Sequence, residues 1–496
     1  MRFSFLFLLA AVVVVAPAAL AQPLYLDVTD DALPTLPFNQ RATMDIEVAD
    51  LDGDEDLDIV LACEACENVL LLNNGDGTFA DGRSRFPVSN SYDSEDIAIA
   101  DFDGDDDLDL IFVQEDFINF NGIGRQHEFF LNDGTGTFTP AAFTFPDSEA
   151  NAIAVADLNG DDRPDVVIGN ADQDFVFIND GAGGFINETA ARIPAEDRIN
   201  QDLTFADVDG DDDLDLFVGN ENDNALLLND GTGVFTDVSA TNLPTSPLIE
   251  TRKATFADVD GDDDLDLYLS NVFFLFQRDP QDRLWLNDGT GVFTDATATN
   301  LPASAATNLD ATFVDVDGDN DLDLLTHGVG QTVPVRLLTN DGAGVFTDAT
   351  DTLLPFLPTT DGLALEVADF DGDERLDLFI GNRGQIDRLL LRDPNVGTST
   401  ETGGVGPTQP LLAPPYPNPV DGLATLEIKL DEPQDVLLAI YDLLGRRVAT
   451  VHEGVLSEGA HTRTVHTHAL SAGVYLCRLT TADAVVSHRL VVAGNS

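Results

Sequence analysis

Short apolar runs separated by polar turns cover most of this chain, and within them apolar and polar positions alternate with a period near two. One stretch displays the order: LTFAD (203–207), an acidic interval, LDLFVGN (214–220), ALLLND (225–230), then FTDVS (235–239). Runs of this length, rich in Phe, Val, Leu and Thr and bounded by Gly, Asn and Asp, read as strands. Between the third and fourth stands Asn-Asp-Gly-Thr-Gly, whose Asn and Gly tolerate the positive φ of a tight hairpin. That turn recurs as NNGDGTF, NDGTGTF, NDGAGGF, NDGTGVF twice and NDGAGVF. The predicted unit is a four-stranded sheet, repeated along the chain.

The acidic interval between the first two runs marks the repeats. It reads DLDGDEDLD (50–58), DFDGDDDLD (101–109), DLNGDDRPD (157–165), DVDGDDDLD (207–215 and 258–266), DVDGDNDLD (315–323) and DFDGDERLD (369–377). These seven copies begin 51, 56, 50, 51, 57 and 54 residues apart. Four-stranded units with a period near fifty make a β-propeller. The seventh unit, RLLLRDPN (388–395), stops without a fourth strand. The missing piece stands at the other end, where YLDVTDDALPTLP (25–37) parallels FTDVSATNLPTSP (235–247). The fold class expected is all-β: a seven-bladed β-propeller closed by its own N-terminal strand, so that no open edge remains.

Positions 1, 3, 5 and 9 of every loop carry a side-chain oxygen. The candidate metal ligands are Asp50, Asp52, Asp54 and Asp58; Asp101, Asp103, Asp105 and Asp109; Asp157, Asn159, Asp161 and Asp165; and Asp207, Asp209, Asp211 and Asp215. The last three loops contribute Asp258, Asp260, Asp262 and Asp266; Asp315, Asp317, Asp319 and Asp323; and Asp369, Asp371, Asp373 and Asp377. Position 7 is Asp in five loops but Arg163 and Arg375 in two, so a backbone carbonyl rather than a side chain is expected to serve there. Alternating hard oxygens suit Ca²⁺, with its six to eight flexible ligands, better than Mg²⁺ or Zn²⁺. Up to seven calcium ions are expected, one per blade, with the third site weakest because Asn159, Arg163 and Pro164 lower its charge. An EF-hand is excluded: position 6 is never Gly, position 12 is apolar where Glu would be needed, as at Val218 and Leu269, and the flanks alternate as strands do.

Charge fits this reading. The net charge is −67, only Lys253 and Lys429 are lysines, and the seven loops hold 38 of the 90 acidic residues. Such a field repels nucleic acid and anionic membranes. Residues 1–21 combine Arg2, an apolar run and Ala19-Leu20-Ala21, the pattern of a cleaved signal peptide, and no later stretch could cross a bilayer. Cys63 and Cys66 are expected to form a local disulfide, and Cys477 to be buried and inert.

With these motifs laid out, residues 22–394 resemble the FG-GAP/VCBS repeats of integrin α-subunit propellers and bacterial surface proteins. The resemblance implies calcium in the hairpin between strands one and two of each blade. After a Gly/Thr/Pro linker (395–412), residues 413–496 read as six short strands of a small C-terminal β-sandwich. PYPNPV (415–420), IYDLLGRRV (440–448), LSAGVYLCRL (470–479) and the terminal HRLVV resemble the type IX secretion C-terminal sorting domain. That resemblance implies a Bacteroidetes-type bacterium, Sec export, then passage of the outer membrane by the type IX machinery to the surface or the medium. His461, His466 and His468 in this module are expected at exposed strand positions rather than on a metal.

The chain is expected not to be an enzyme, since the propeller has only His127 and His327 and lacks a nucleophile elbow, zinc signature or P-loop. The expected role is adhesion: binding a glycan or a surface protein. Its candidate patch is two long connections, 114–129 and 270–284, where Phe117, Phe120, Phe273, Phe274 and Phe276 stand with Arg125 and Arg278. The alternatives are a structural surface or matrix component without a discrete ligand, in which these rings simply pack the connections onto the blades, and a carbohydrate-active enzyme.

Overall fold

The computed structural model describes residues 23–394 apart from 37–41, 65, 88–92, 116–125, 196–197, 246, 276–277, 305–306, 330–334, 356 and 358–360. It also describes residues 411–492 apart from 413–422, 431–432, 442–445, 458, 468–469, 471–472 and 482–484. The expected signal segment 1–21 and, but for residues 411–412, the expected linker lie outside these. The chain falls into two compact units, one carrying the strands of the repeats and the other the C-terminal strands.

Among the described residues of the first unit the repeats form seven four-stranded antiparallel sheets. In the fourth, Asn200–Ala206 runs into the acidic loop, Asp215–Asn220 leaves it, and Ala225–Asn229 and Phe235–Asp237 complete the meander. The last sheet takes its fourth strand from the N-terminus: Tyr25–Asp27 pairs with Arg388–Arg392 in the register Tyr25↔Arg392. The first strands of consecutive sheets are neighbours, and Gly362–Ala368 of the seventh lies beside Ala42–Ala49 of the first.

The cores lie between sheets. One joins Ile46, Ile59, Leu71 and Phe79 of the first sheet to Phe370, Phe379 and Leu389 of the seventh; another joins Ile111 and Phe129 to Ile168, Phe177 and Phe185 across the second and third. Second strands are covered on both faces, so Val166, Val167 and Ile168 form an unbroken apolar run with no exposure. Polar clasps tie several sheets to their neighbours. Asn224 Nδ2 donates to Thr251 Oγ1 at 2.8 Å, and Thr43 Oγ1 donates to Asp387 Oδ1 at 3.1 Å across the last and first sheets.

Two features go beyond the strand pattern. Single helical turns such as Ser239–Asn242 and Thr297–Asn300 follow the fourth strand. Ser239 Oγ accepts the Leu226 N–H at 2.9 Å while Asp237 Oδ1 accepts the Ser239 N–H at 2.9 Å, an Asx turn that competes with strand continuation. A register irregularity also interrupts every first strand, between Thr43 and Asp45, Ser94 and Asp96, Ala150 and Ala152, Asn200 and Asp202, Thr251 and Lys253, Asn308 and Asp310, and Gly362 and Ala364.

The second unit contains a three-stranded sheet (Leu411–Leu412, Leu423–Leu430, Gly459–His466) and a four-stranded one (Arg447–Leu456, Gln434–Tyr441, Gly473–Thr480, Val485–Val492). Leu426, Ile428, Leu438, Ile440, Leu479 and Leu490 share one core between them. Cys477 lies in that core as a free thiol, and burial pushes its pKa up to about 12.

Candidate functional site

Each acidic loop is built around its first Asp. Asp50 Oδ1 accepts the N–H groups of Gly53 and Asp54 at 2.8 and 3.2 Å, and its Oδ2 accepts that of Glu55 at 3.0 Å. Asp101 and Asp258 repeat this with the same three distances. The turn needs positive φ at positions 4 and 6: Gly53 has φ 80° and Glu55 75°, and the other six loops do likewise. The ninth residue is buried and opens the second strand. Asp58 Oδ2 accepts the Leu51 N–H at 3.2 Å, and Oδ1 the Asn73 N–H at 2.8 Å.

These bonds leave oxygens over. Oδ1 of Asp52, Asp103, Asp260 and Asp317, all at position 3, is buried without a hydrogen-bond partner. Positions 1, 3 and 9 place carboxylate oxygens within 4.8 Å of one another in the loops of Asp50, Asp101, Asp207 and Asp315, as do Asp258, Asp260 and Asp262. Burial pushes Asp58, Asp109, Asp266 and Asp377 up to about 7 and Asp165 to about 6, against opposing backbone hydrogen bonds. Orphaned oxygens among crowded, partly desolvated carboxylates fit a bound cation, which would supply their missing partner.

Two loops are different. Asn159 Nδ2 donates to Asp165 Oδ2 at 3.2 Å, filling internally a place where Asp52, Asp103, Asp260 and Asp317 leave an oxygen free. Arg163 pairs with Asp161, and Arg375 with Asp373. Both arginines therefore occupy the position-5 carboxylate. The sequence reading singled out only the third loop; the seventh shares its arginine clasp.

Neighbouring loops are locked together. Asn132 Nδ2 donates to Leu108 O of its own loop at 3.1 Å and to Leu51 O of the preceding one at 2.8 Å. Asn73 does the same between the first sheet and the seventh, reaching Phe370 O at 3.0 Å. In the seventh sheet Arg392 replaces this Asn, and its guanidinium lies 5.2 Å from the Tyr25 ring.

Sequence reading missed a second polar region. The residue after each first-strand irregularity is Asp45, Asp96, Ala152, Asp202, Lys253, Asp310 or Ala364, always five positions before the loop's first Asp. Four of these carboxylates staple one sheet to the next: Asp45 accepts the Ile97 N–H at 3.1 Å, Asp96 that of Ile153 at 2.8 Å, Asp202 that of Ala254 at 2.9 Å and Asp310 that of Leu365 at 2.6 Å. Lys253 Nζ lies 3.7 Å from Asp202. Burial alone would pull this lysine's pKa down, but Asp202, Asp310, Asp45 and Asp96 hold it well above its usual value. Burial raises Asp310 to about 6 despite Lys253, and raises Glu366 to about 8 with help from Asp310. The fixed spacing was the available signal, hidden because these positions read as ordinary polar alternation.

Six spans match the FG-GAP-like repeat: residues 50–112, 116–168, 157–218, 207–269, 271–326 and 329–380. The chain belongs to the FG-GAP-like repeat family. Residues 415–493 of this FG-GAP-like protein match the secretion system C-terminal sorting domain, which marks it for type IX secretion to the surface or the medium. No curated protein matches the chain. A solved structure similar to it is titled for specific recognition of non-reducing terminal N-acetylglucosamine by an Agrocybe aegerita lectin. That structure is 19% identical over 62% of this chain and 79% of its own, with a TM-score of 0.38.

The remaining candidate residues fall as follows in the FG-GAP-like protein. Phe273 and Phe274 are 52% and 51% exposed, and the Arg252 guanidinium sits 5.2 Å from the Phe274 ring. They follow the second strand, Asp266–Asn271, at the end away from the acidic loop. Arg278 Nε donates to Glu221 O at 2.9 Å. Phe117, Phe120, Arg125 and Phe276 lie outside the described residues. His127 is buried with Nε2 2.8 Å from Ser148 Oγ, and burial lowers its pKa to about 4. His327 is fully buried against Gly362. Cys63 and Cys66 are joined in a disulfide. In the sorting domain His461 and His466 fall on opposite faces of one strand, and His468 is outside the described residues.

Proposed function

We propose that this chain is an exported, calcium-stabilised, non-catalytic binding protein: a seven-bladed propeller closed by Tyr25–Asp27, followed by a β-sandwich sorting domain. Residues 1–21 act as the cleaved Sec signal and the C-terminal domain engages the type IX machinery. Calcium is held at positions 1, 3, 5 and 9 of the loops; the orphaned oxygens of Asp52, Asp103, Asp260 and Asp317 support this. The ligand is a glycan or a surface protein, taken on the face opposite the acidic loops.

The observation that carries the binding reading is the exposed pair Phe273 and Phe274, held out on a long connection while most of the described phenylalanines lie in the cores. Packing the connection onto the blades would have covered them. A glycan array probed with the calcium-loaded secreted chain tests the reading. Saturable binding to a defined glycan class is expected; a blank array, with no surface protein captured from intact cells, would leave the structural-component reading standing.

A further inference from the structure

The irregularities in the seven first strands bring one extra residue each to the same level of the fold: Met44, Glu95, Asn151, Gln201, Arg252, Leu309 and Leu363. A bulge bends its strand and re-aims the side chain it carries. All seven residues line one cavity of about 80 Å³, together with Asp45, Lys253 and their neighbours. The acidic loops keep nearly one sequence from sheet to sheet, whereas this level is divided. Sheets two to five present Glu95, Asn151, Gln201 and Arg252; sheets six, seven and one present Leu309, Leu363 and Met44. One side of the mouth is polar and the other apolar.

Two observations mark this mouth as a ligand site rather than as filling. Arg252 Nε is buried without a hydrogen-bond partner, although NH2 pairs with Glu250 at 2.8 Å and NH1 with Gln201; a buried orphan donor calls for an acceptor. The same guanidinium stacks on Phe274, so the exposed phenylalanine shelf and the cavity share a wall. The Leu275 N–H donates to Glu250 Oε2 at 3.0 Å and fixes the shelf there. The cavity holds roughly five waters, too little for a whole sugar ring but enough for one polar edge of it.

Building on the glycan-binding reading above, we propose that the mouth of the bulge level is the binding site for an uncharged sugar, its apolar face on Phe273 and Phe274 and its hydroxyl edge directed to Arg252, Gln201 and Asn151. The charge sets the class. Asp45, Glu95, Asp96, Asp202 and Asp310 outnumber the two cations of the lining, which are already committed to Asp202 and Glu250. Uronates and sulfated sugars would enter an unfavourable field.

The test uses the full calcium-loaded chain in affinity electrophoresis and titration calorimetry against a neutral β-glucan, a neutral mannan and alginate. Binding is expected for a neutral polymer and not for alginate. The double variant Phe273→Ala/Phe274→Ala, at exposed positions that leave the cores intact, should weaken it by about tenfold or more. Arg252→Met should also weaken it, while Ile186→Ala, at an exposed apolar residue elsewhere, should not. Neutral-glycan binding untouched by the phenylalanine variant overturns the site and leaves the glycan reading in place. Binding confined to alginate overturns the sugar class. Failure to bind any glycan removes the glycan reading and the site with it.

Discussion

Two carboxylates of one loop, Asp52 and Asp58, make opposite demands on the fold. Asp58 satisfies the N–H groups of Leu51 and Asn73 with no metal involved, whereas Asp52 Oδ1 has no protein partner. Asp58→Ala should destabilise the chain with or without calcium, by about 2–4 kcal/mol for two stranded buried donors. Asp52→Ala should be neutral or slightly stabilising in EDTA, where it relieves repulsion, and destabilising in millimolar calcium. Thermal unfolding of both variants in the two buffers checks this, and equal behaviour would remove the case for a cation in the loop. Glu366 offers a pH test away from the loops. Its folded pKa is about 8 against a usual 4.5, so the folded state holds a proton that the unfolded state has lost between those values. Its contribution therefore falls as pH rises through that window. Glu366→Gln should match the parent near pH 4 and become the more stable of the two by pH 8–9, as chemical denaturation in saturating calcium would read.

At the level of the loop and its two strands, one backbone scaffold is reused with different side-chain solutions. Gly at position 4 and a non-glycine left-handed residue at position 6 recur in all seven, so the turn is fixed by backbone geometry and by the first Asp rather than by position 7. That freedom admits Arg163 and Arg375, which tie up Asp161 and Asp373. Arg163→Asp should free the position-5 carboxylate and strengthen calcium binding at the third loop. Calorimetry would register it as an added or tighter site, and an unchanged isotherm would mean that Asn159 alone limits this loop.

Across the repeat unit as a whole, closure depends on the N-terminal strand. The Thr29 hydroxyl oxygen accepts the Leu389 N–H at 3.0 Å, Arg388 pairs with Asp27 at 2.6 Å, and Arg392 lies against Tyr25. Removing residues 22–37 deletes no loop ligand yet should lower the melting temperature in calcium by several degrees; parent-like melting would show that the strand is dispensable. Removing residues 411–496 should leave a calcium-binding repeat unit that stays in the periplasm of a type IX-competent host. Fractionation followed by immunoblotting distinguishes this from secretion that ignores the tail.

What the sequence by itself determined was the framework of strands, loops and repeats. Alternation set the strands, the fifty-residue spacing set the repeats, and the kinship of residues 25–37 with 235–247 pointed to the strand pairing Tyr25↔Arg392. These depend on interactions local in the chain, or copied from repeat to repeat, so composition and spacing reveal them. The polar level at the first strands was decided only in three dimensions. Asp45, Asp96, Asp202 and Asp310 each read as one more polar position, and their meaning lies in a backbone N–H more than fifty residues away. Likewise Arg252 and Phe274 are twenty-two residues apart, and only the pairing of Thr251–Ala257 with Asp266–Asn271 brings them together. A repeat declares its backbone in sequence; the asymmetry that distinguishes one ligand from another comes from the places where the copies differ, and those acquire a shared surface only when the sheets assemble.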